Sequence, residues 1–207
     1  MINKSNGAIL ILSGPSGCGK STLLKEVYKD IKDYYFSIST TTRAPRQGEQ
    51  HGVDYFFVSK EEFEKDIQNN EFLEWARVHD NYYGTSLKPI NKALEEGKLV
   101  IFDIDVQGHD LVRKSSFNSF VTSVFITTPS LKELENRLNS RATDAKEVIE
   151  KRIKNAKVEI QSIDKYDYFL INDDLLLASK QLVSIANSAR IKASLYNKQE
   201  VITKWMN

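Results

Sequence analysis

Gly14-Pro15-Ser16-Gly17-Cys18-Gly19-Lys20-Ser21 reads G-x-x-x-x-G-K-S without a mismatch. The apolar run Ala8-Ile9-Leu10-Ile11-Leu12 precedes it, and Leu23, Leu24 and Val27 follow at helical spacing. The stretch therefore joins a strand to a helix, the setting a phosphate-binding loop requires. Its glycines let the backbone fold a nest of N–H groups around phosphates, and the helix N-terminus adds the positive end of its dipole. In this reading Gly14, Pro15, Ser16, Gly17, Cys18, Gly19, Lys20, Ser21 and Thr22 hold a nucleoside triphosphate. Lys20 reaches the β- and γ-phosphates, and the Ser21 hydroxyl ligates Mg²⁺. A glycine-rich turn with a chance Lys-Ser is the plain alternative, and the flanking strand and helix argue against it.

Outward from the loop, short apolar runs at 9–12, 99–104, 121–126 and 168–171 read as strands buried on both faces, as in a parallel sheet. Helical patterns separate them. Ser59 with Glu62 and Ser130 with Glu133 have capping-box spacing. Leu94-Glu95-Glu96-Gly97 marks a helix ending on its glycine. A long helical pattern over 175–196 carries Leu182, Ile185, Ala186 and Ala189 on one side. Alternating strand and helix predict an α/β sandwich around a parallel sheet.

Two stretches interrupt that plan. From 36 to about 88 the chain is rich in aromatics, Thr, Gly and Arg, which suits a small inserted β-rich unit. From 130 to 165 it turns to charged helix, with Ile149, Ile153, Ala156, Ile160 and Ile163 in a narrow stripe. That composition favours a mobile arm over a core element, with a surface helix of the core as the other option.

The 207 residues are 41% hydrophobic, enough for one compact domain. Net charge is +1, so the basic footprint of a nucleic-acid binder is missing and anion recognition must be local. One cysteine, Cys18, excludes an internal disulfide and fits a reducing compartment. The N-terminal apolar run is too short to span a bilayer and lacks a cleavage signature. No membrane partner is expected, and the cytoplasm is the default.

The run 99–102 ends in Asp103, the place where phosphate-loop proteins keep a carboxylate for Mg²⁺, directly or through water. Asp105 follows on the same side. No Asn-Lys-x-Asp base-reading motif of a GTP switch is present. Instead the chain carries Ser39-Thr40-Thr41-Thr42-Arg43-Ala44-Pro45-Arg46-Gln47-Gly48-Glu49, in which Arg43 and Arg46 can grip one phosphate with planar forks. Pro45 and Gly48 would fix the turn between them. His51, His79 and His109 have no metal-site spacing. Cys18, near a helix N-terminus, is either a thiol of lowered pKa or an inert small side chain, the second being favoured.

These residues, with Gly52-Val53-Asp54-Tyr55, Glu71-Phe72-Leu73-Glu74-Trp75, Asn81-Tyr82-Tyr83-Gly84-Thr85, Asp103-Ile104-Asp105-Val106-Gln107-Gly108 and Asn172-Asp173-Asp174, closely resemble the guanylate kinase family from about residue 8 to 174. The resemblance implies a P-loop nucleoside-monophosphate-kinase-like three-layer α/β/α fold. Residues 1–207 would form a single domain: a parallel core (1–36, 89–129 and 166–207), an inserted mixed-sheet GMP-binding unit (37–88) and a helical lid (130–165). It implies ATP and GMP, with dGMP beside GMP, as small-molecule partners, and Mg²⁺ as cofactor. Monomer and homo-oligomer both stay open.

By the same resemblance Arg43, Arg46, Tyr55 and Tyr83 hold the GMP phosphate, while Ser39, Glu74, Thr85 and Asp105 read guanine. A carboxylate such as Glu74 can accept both N1–H and N2–H₂ of guanine, whereas adenine presents a lone pair at N1. Arg141 and Arg152 match family arginines that close over the transferring group. Ala142 stands where the family commonly has glycine, and Lys146 lies in a usually acidic stretch. The acceptor phosphate is already an anion and needs no base, so catalysis rests on positioning and on charge stabilisation by Lys20, Arg43, Arg141, Arg152 and Mg²⁺. Two other classes are a phosphopeptide-binding module on the same fold and a sugar-phosphate kinase. The intact loop with Lys20 argues against the first. The second has no need of Ser39, Glu74 and Thr85 together.

Overall fold

A computed structural model describes residues 7–78, 80–140 and 145–207. The chain begins with β1 (Ala8–Ser13), α1 (Lys20–Asp30), β2 (Tyr34–Phe36), β3 (Thr40–Thr41), β4 (Phe56–Phe57) and α2 (Lys60–Gln68). It continues with β5 (Phe72–Val78), β6 (Asn81–Ser86), α3 (Leu87–Glu95), β7 (Leu99–Asp103), α4 (Val106–Lys114) and β8 (Val121–Thr127). Then come α5 (Leu131–Ser140), α6 (Lys146–Glu159), β9 (Tyr168–Ile171), α7 (Leu175–Ala189) and α8 (Lys198–Met206).

The main sheet has the order β2-β7-β1-β8-β9 and is parallel throughout. All six residues of β1 are buried, as its unbroken apolar run demands of a central parallel strand. Alternate side chains feed two layers. Leu10 and Leu12 join Leu23 and Val27 of α1 and Ala178 and Leu182 of α7. Ile9 and Ile11 meet Ile90 and Leu94 of α3 and Val112 of α4 on the opposite face. Each such side chain contributes about 1.5–3 kcal/mol on leaving water, so the ends of β1 and β7 are held firmly. That rigidity matters because the phosphate loop leaves β1 and Asp103 ends β7, paired in register with Leu12.

A second, mixed sheet of order β4-β3-β6-β5 lies between β2 and α3 in sequence. Between its strands β4 and β5, α2 opens on a complete capping box, with Ser59 and Glu62 bonded reciprocally. The Ser130 cap is half of one. Ser130 Oγ accepts from the Glu133 amide, but the Glu133 carboxylate takes Arg137 instead. Helix α3 closes on Gly97 at φ 74°.

Three expectations change. Strand β9 is not buried on both faces: Tyr168, Phe169 and Ile171 are exposed and only Leu170 is buried. It is the outermost strand, paired to β8 alone, so no further strand covers it. The long C-terminal helix stops at Ala189, and a 3₁₀ turn at Ala193–Leu195 returns Leu195 to the core. The stripe of α6 is not a free arm in this state. Ala156 is buried, and Ile149 and Ile153 pack against the core cluster, as in the surface-helix alternative.

Candidate active site

The loop between β1 and α1 turns on three glycines with positive φ: Gly14 at 145°, Gly17 at 96° and Gly19 at 89°. A side chain on Gly14 would overlap the Ile126 carbonyl of β8, so the loop closes against the sheet only with glycine there. The first amides of α1 have no partner inside the helix and point with its dipole into a cavity of about 380 Å³. Gly14, Ser16, Gly17, Gly19, Lys20, Ser21, Thr22, Asp103 and Asp105 line it, joined by Glu159 from the end of α6.

Within it Lys20 Nζ donates to the Gly14 carbonyl at 2.7 Å and sits 3.8 Å from Asp103 Oδ1. Burial raises the pKa of Asp103, and the Lys20 ammonium pulls it back. Burial also raises that of Glu159, against the attraction of Lys20. Arg152 Nη1 donates to Ser16 Oγ at 3.1 Å, tying α6 to the loop.

Behind the loop a second cavity of about 330 Å³ is bounded by Gly17, Gly19, Thr22, Arg137, Ser140 and Asn172, among others. Asn172 Nδ2 donates to the Cys18 carbonyl at 2.8 Å, and Arg137 Nη1 to the Asn172 carbonyl at 2.9 Å. Nothing in the sequence alone signals a role for Arg137 or Asn172. Arg137 looks like half of a surface pair with Glu133, and Asn172 carried only the motif Asn172-Asp173-Asp174.

A third cavity, of about 320 Å³, adjoins the first and shares Ile104 and Asp105 with it. Glu74 of β5 and Thr85 of β6 stand opposite each other, and Thr85 Oγ1 donates to Glu74 Oε1 at 2.6 Å. Asp105 caps α4, its Oδ1 accepting from the amides of Gln107 and Gly108. So three of the four residues expected at guanine converge. Ser39 does not line this cavity; its carbonyl pairs with the Phe56 amide.

The arginine cluster forms a separate group on the second sheet. Glu49 takes both its oxygens to Arg43 Nη2 at 2.9 Å, and Arg43 also lies over the Tyr55 ring. Tyr55 meets Tyr83 edge to face at 6.2 Å. The Arg46 amide donates to Glu49 at 2.7 Å; that bond, then Arg43, holds the Glu49 carboxyl below its usual range. The Arg46 side chain is exposed, and Gly48 takes φ 90° in the turn. Glu49, whose role no sequence pattern signals, orients Arg43. Arg141, Ala142 and His79 lie outside the described residues. Cys18 is buried, and burial raises its thiol pKa, so the lowered value weighed on sequence does not hold. No helix is long and apolar enough to cross a membrane among the described residues.

The guanylate kinase family model matches residues 6–189. The guanylate kinase of Sulfurimonas denitrificans is 54% identical over 204 residues, 99% of this chain and 98% of that one. That of Helicobacter hepaticus is 53% identical over 201 residues, 97% and 100% of the two chains. The crystal structure of the guanylate kinase from Anaplasma phagocytophilum matches with a TM-score of 0.71 at 32% identity, across 100% of this chain and 98% of that one. A parallel core, a phosphate loop and a mixed second sheet of this kind define a nucleoside monophosphate kinase. Its acceptor is GMP: the chain belongs to the guanylate kinase family, whose activity is phosphoryl transfer from ATP to GMP.

Proposed function

We propose that ATP binds with its triphosphate on residues 14–21 and its nucleoside toward Arg137 and Asn172, while GMP sets its base against Glu74, Thr85 and Asp105. The observation that carries this reading is the shared wall: the loop cavity and the Glu74 cavity meet at Ile104 and Asp105. Donor phosphates and acceptor are then separated by one strand-to-helix turn. Transfer needs that proximity more than any proton chemistry.

Lys20 would leave the Gly14 carbonyl for the transferring phosphoryl oxygens, where its charge counts most as the bond to the leaving group stretches. Arg43, with Tyr55, Tyr83 and the exposed Arg46, would hold the GMP phosphate on the far side. Its present hold on Glu49 keeps its fork ordered before the phosphate arrives. Arg152, bonded to Ser16, lies beside the loop, and Arg141 would act with it. The division into core, insert (37–88) and lid (130–165) belongs to this reading, with lid closure excluding water.

The donor set fits Mg²⁺: Ser21 and Asp103 supply hard oxygens in one cavity, and among the described residues no three His, Cys, Asp or Glu side chains converge as a metal cage. An ion arriving with ATP needs few protein ligands. Bound there by Ser21 and Asp103, directly or through water, it would neutralise developing phosphate charge. The free, buried Cys18 suits a reducing compartment such as the cytoplasm.

The test is ADP release with ATP and Mg²⁺ against a panel of GMP, dGMP, AMP, UMP, CMP and dTMP. GMP, with dGMP after it, should give turnover at least about 10³-fold more efficient than the other bases, because a site built for guanine donors leaves buried acceptors unpaired otherwise. Equal use of AMP would overturn the base assignment.

A further inference from the structure

Helix α4 has two working faces. Gln107, Gly108 and Leu111 line the cavity that holds Glu74 and Thr85, and Asp105 caps the helix at the same wall. His109, Asp110 and Arg113 grip the chain where the lid segment ends. At about 100° per residue these two triplets point to nearly opposite sides of the helix.

The second grip is residue by residue. Tyr166 stacks on His109 with ring centroids 4.1 Å apart and meets Phe125 of β8 edge-on at 5.2 Å. Lys165 Nζ donates to Asp110 Oδ2 at 2.9 Å. Asp167 accepts from Arg113 and from the Ser123 amide at 2.8 Å. Three consecutive residues, Lys165, Tyr166 and Asp167, are thus each paired to α4, while α6 and its 3₁₀ extension (Ile160–Lys165) run directly into them. From its middle α6 presents Arg152 to Ser16, and its last residue, Glu159, lines the loop cavity.

We propose that α4 is the strut that couples acceptor binding to the donor side, with His109, Asp110, Arg113, Lys165, Tyr166 and Asp167 as positioning residues. This rests on the reading that guanine fills the Glu74 cavity. Guanine seated against Gln107, Gly108 and Leu111 fixes the rotation of a rigid rod about 13 Å long. The grip on residues 165–167 passes that setting to α6, and so to Arg152 and Glu159 at the phosphates. The coupling must be reciprocal, since each ligand favours the same placement of α6. A packed element touching both sites gives the effect a physical carrier.

Dissociation constants of a non-hydrolysable ATP analogue with Mg²⁺, measured with and without saturating GMP, test it. In the native protein GMP should tighten the analogue about tenfold, a usual size for two-site coupling. Tyr166→Leu should bring that factor to about twofold or less, with GMP alone bound as before. Lys165→Glu, at an exposed position that folding tolerates, should do the same by repelling Asp110. Asp110→Lys combined with Lys165→Glu should restore the factor, with GMP alone bound equally by all of these proteins, whereas a merely structural role would weaken GMP binding together with the factor. A native factor near one, or a native-sized factor retained in a folded Lys165→Glu protein, would overturn the strut. Failure of either ligand to bind the native protein would instead remove the site reading beneath it.

Discussion

Thr85 Oγ1 donates a 2.6 Å hydrogen bond to Glu74 Oε1 across adjacent antiparallel strands, one register pair past an irregularity in β5. The bond spends one Glu74 oxygen on its neighbour and fixes a carboxylate that lines the cavity. Glu74→Gln should therefore raise KM for GMP by about 10–100-fold, the worth of a hydrogen bond to a charged group. Its kcat should fall less. Steady-state GMP kinetics check this; an unchanged KM would move base recognition elsewhere.

Lys20 is anchored by the Gly14 carbonyl at 2.7 Å, and its charge faces Asp103 rather than a core side chain. Lys20→Ala should lower kcat by about 10³-fold, comparable to losing a key charge stabiliser. The fold should survive, with a melting temperature within a few degrees of native. Near-native turnover would contradict the role.

Glu49 both terminates the turn after Arg43 and clamps the guanidinium. Glu49→Gln keeps the amide contact but loses the charge pair, so Arg43 loses its fixed fork. KM for GMP should rise about three- to tenfold, as expected for a modest charged hydrogen bond, with ATP binding unchanged. Isothermal titration of each nucleotide separates the two.

Cys18 is a buried thiol whose pKa is raised above the ordinary 9.0 by burial, against the opposing pull of Lys20. The folded state therefore prefers the protonated form. Its contribution to stability is full below pH 9.0, the unfolded value, and is lost as pH rises toward the higher folded value. Iodoacetamide should label native protein far more slowly than urea-unfolded protein at pH 8. Equal rates would mean an accessible thiolate.

Gly14→Ala adds a methyl group where the Ile126 carbonyl already lies, at a φ of 145°. Gly48→Ala meets nothing nearby and bears only the cost of a left-handed φ, about 1–2 kcal/mol. Urea denaturation should show the first as clearly the more destabilising. The reverse order would contradict the loop geometry.

The loop was legible because its chemistry dictates glycines at fixed spacing between a strand and a helix. The core strands were legible because runs such as 9–12 can only be buried on both sides. Strand order was not. Residues 168–171 are as apolar as a central strand, and only their position beyond β8 exposes three of them. The same non-local packing hid Arg137. On sequence it pairs with Glu133 four residues back, and only the fold brings its other nitrogen to the Asn172 carbonyl. Of the two readings of Cys18 the favoured one, an inert small side chain, holds for a related reason: its nearness to a helix N-terminus is local, whereas its burial comes from the core cluster containing Leu134 and Leu138. The grouping of Glu74, Thr85 and Asp105 came from family resemblance, since three polar residues spread over 32 positions carry no spacing signal.

The most direct measurement is a crystal structure with a bisubstrate inhibitor joining adenosine and guanosine through their phosphates. The phosphates should thread from residues 14–21 past Asp105, with guanine hydrogen-bonded to Glu74 and adenine beside Arg137 and Asn172. Guanine found beside Arg137, or phosphates lying away from Lys20, would contradict the two-cavity account.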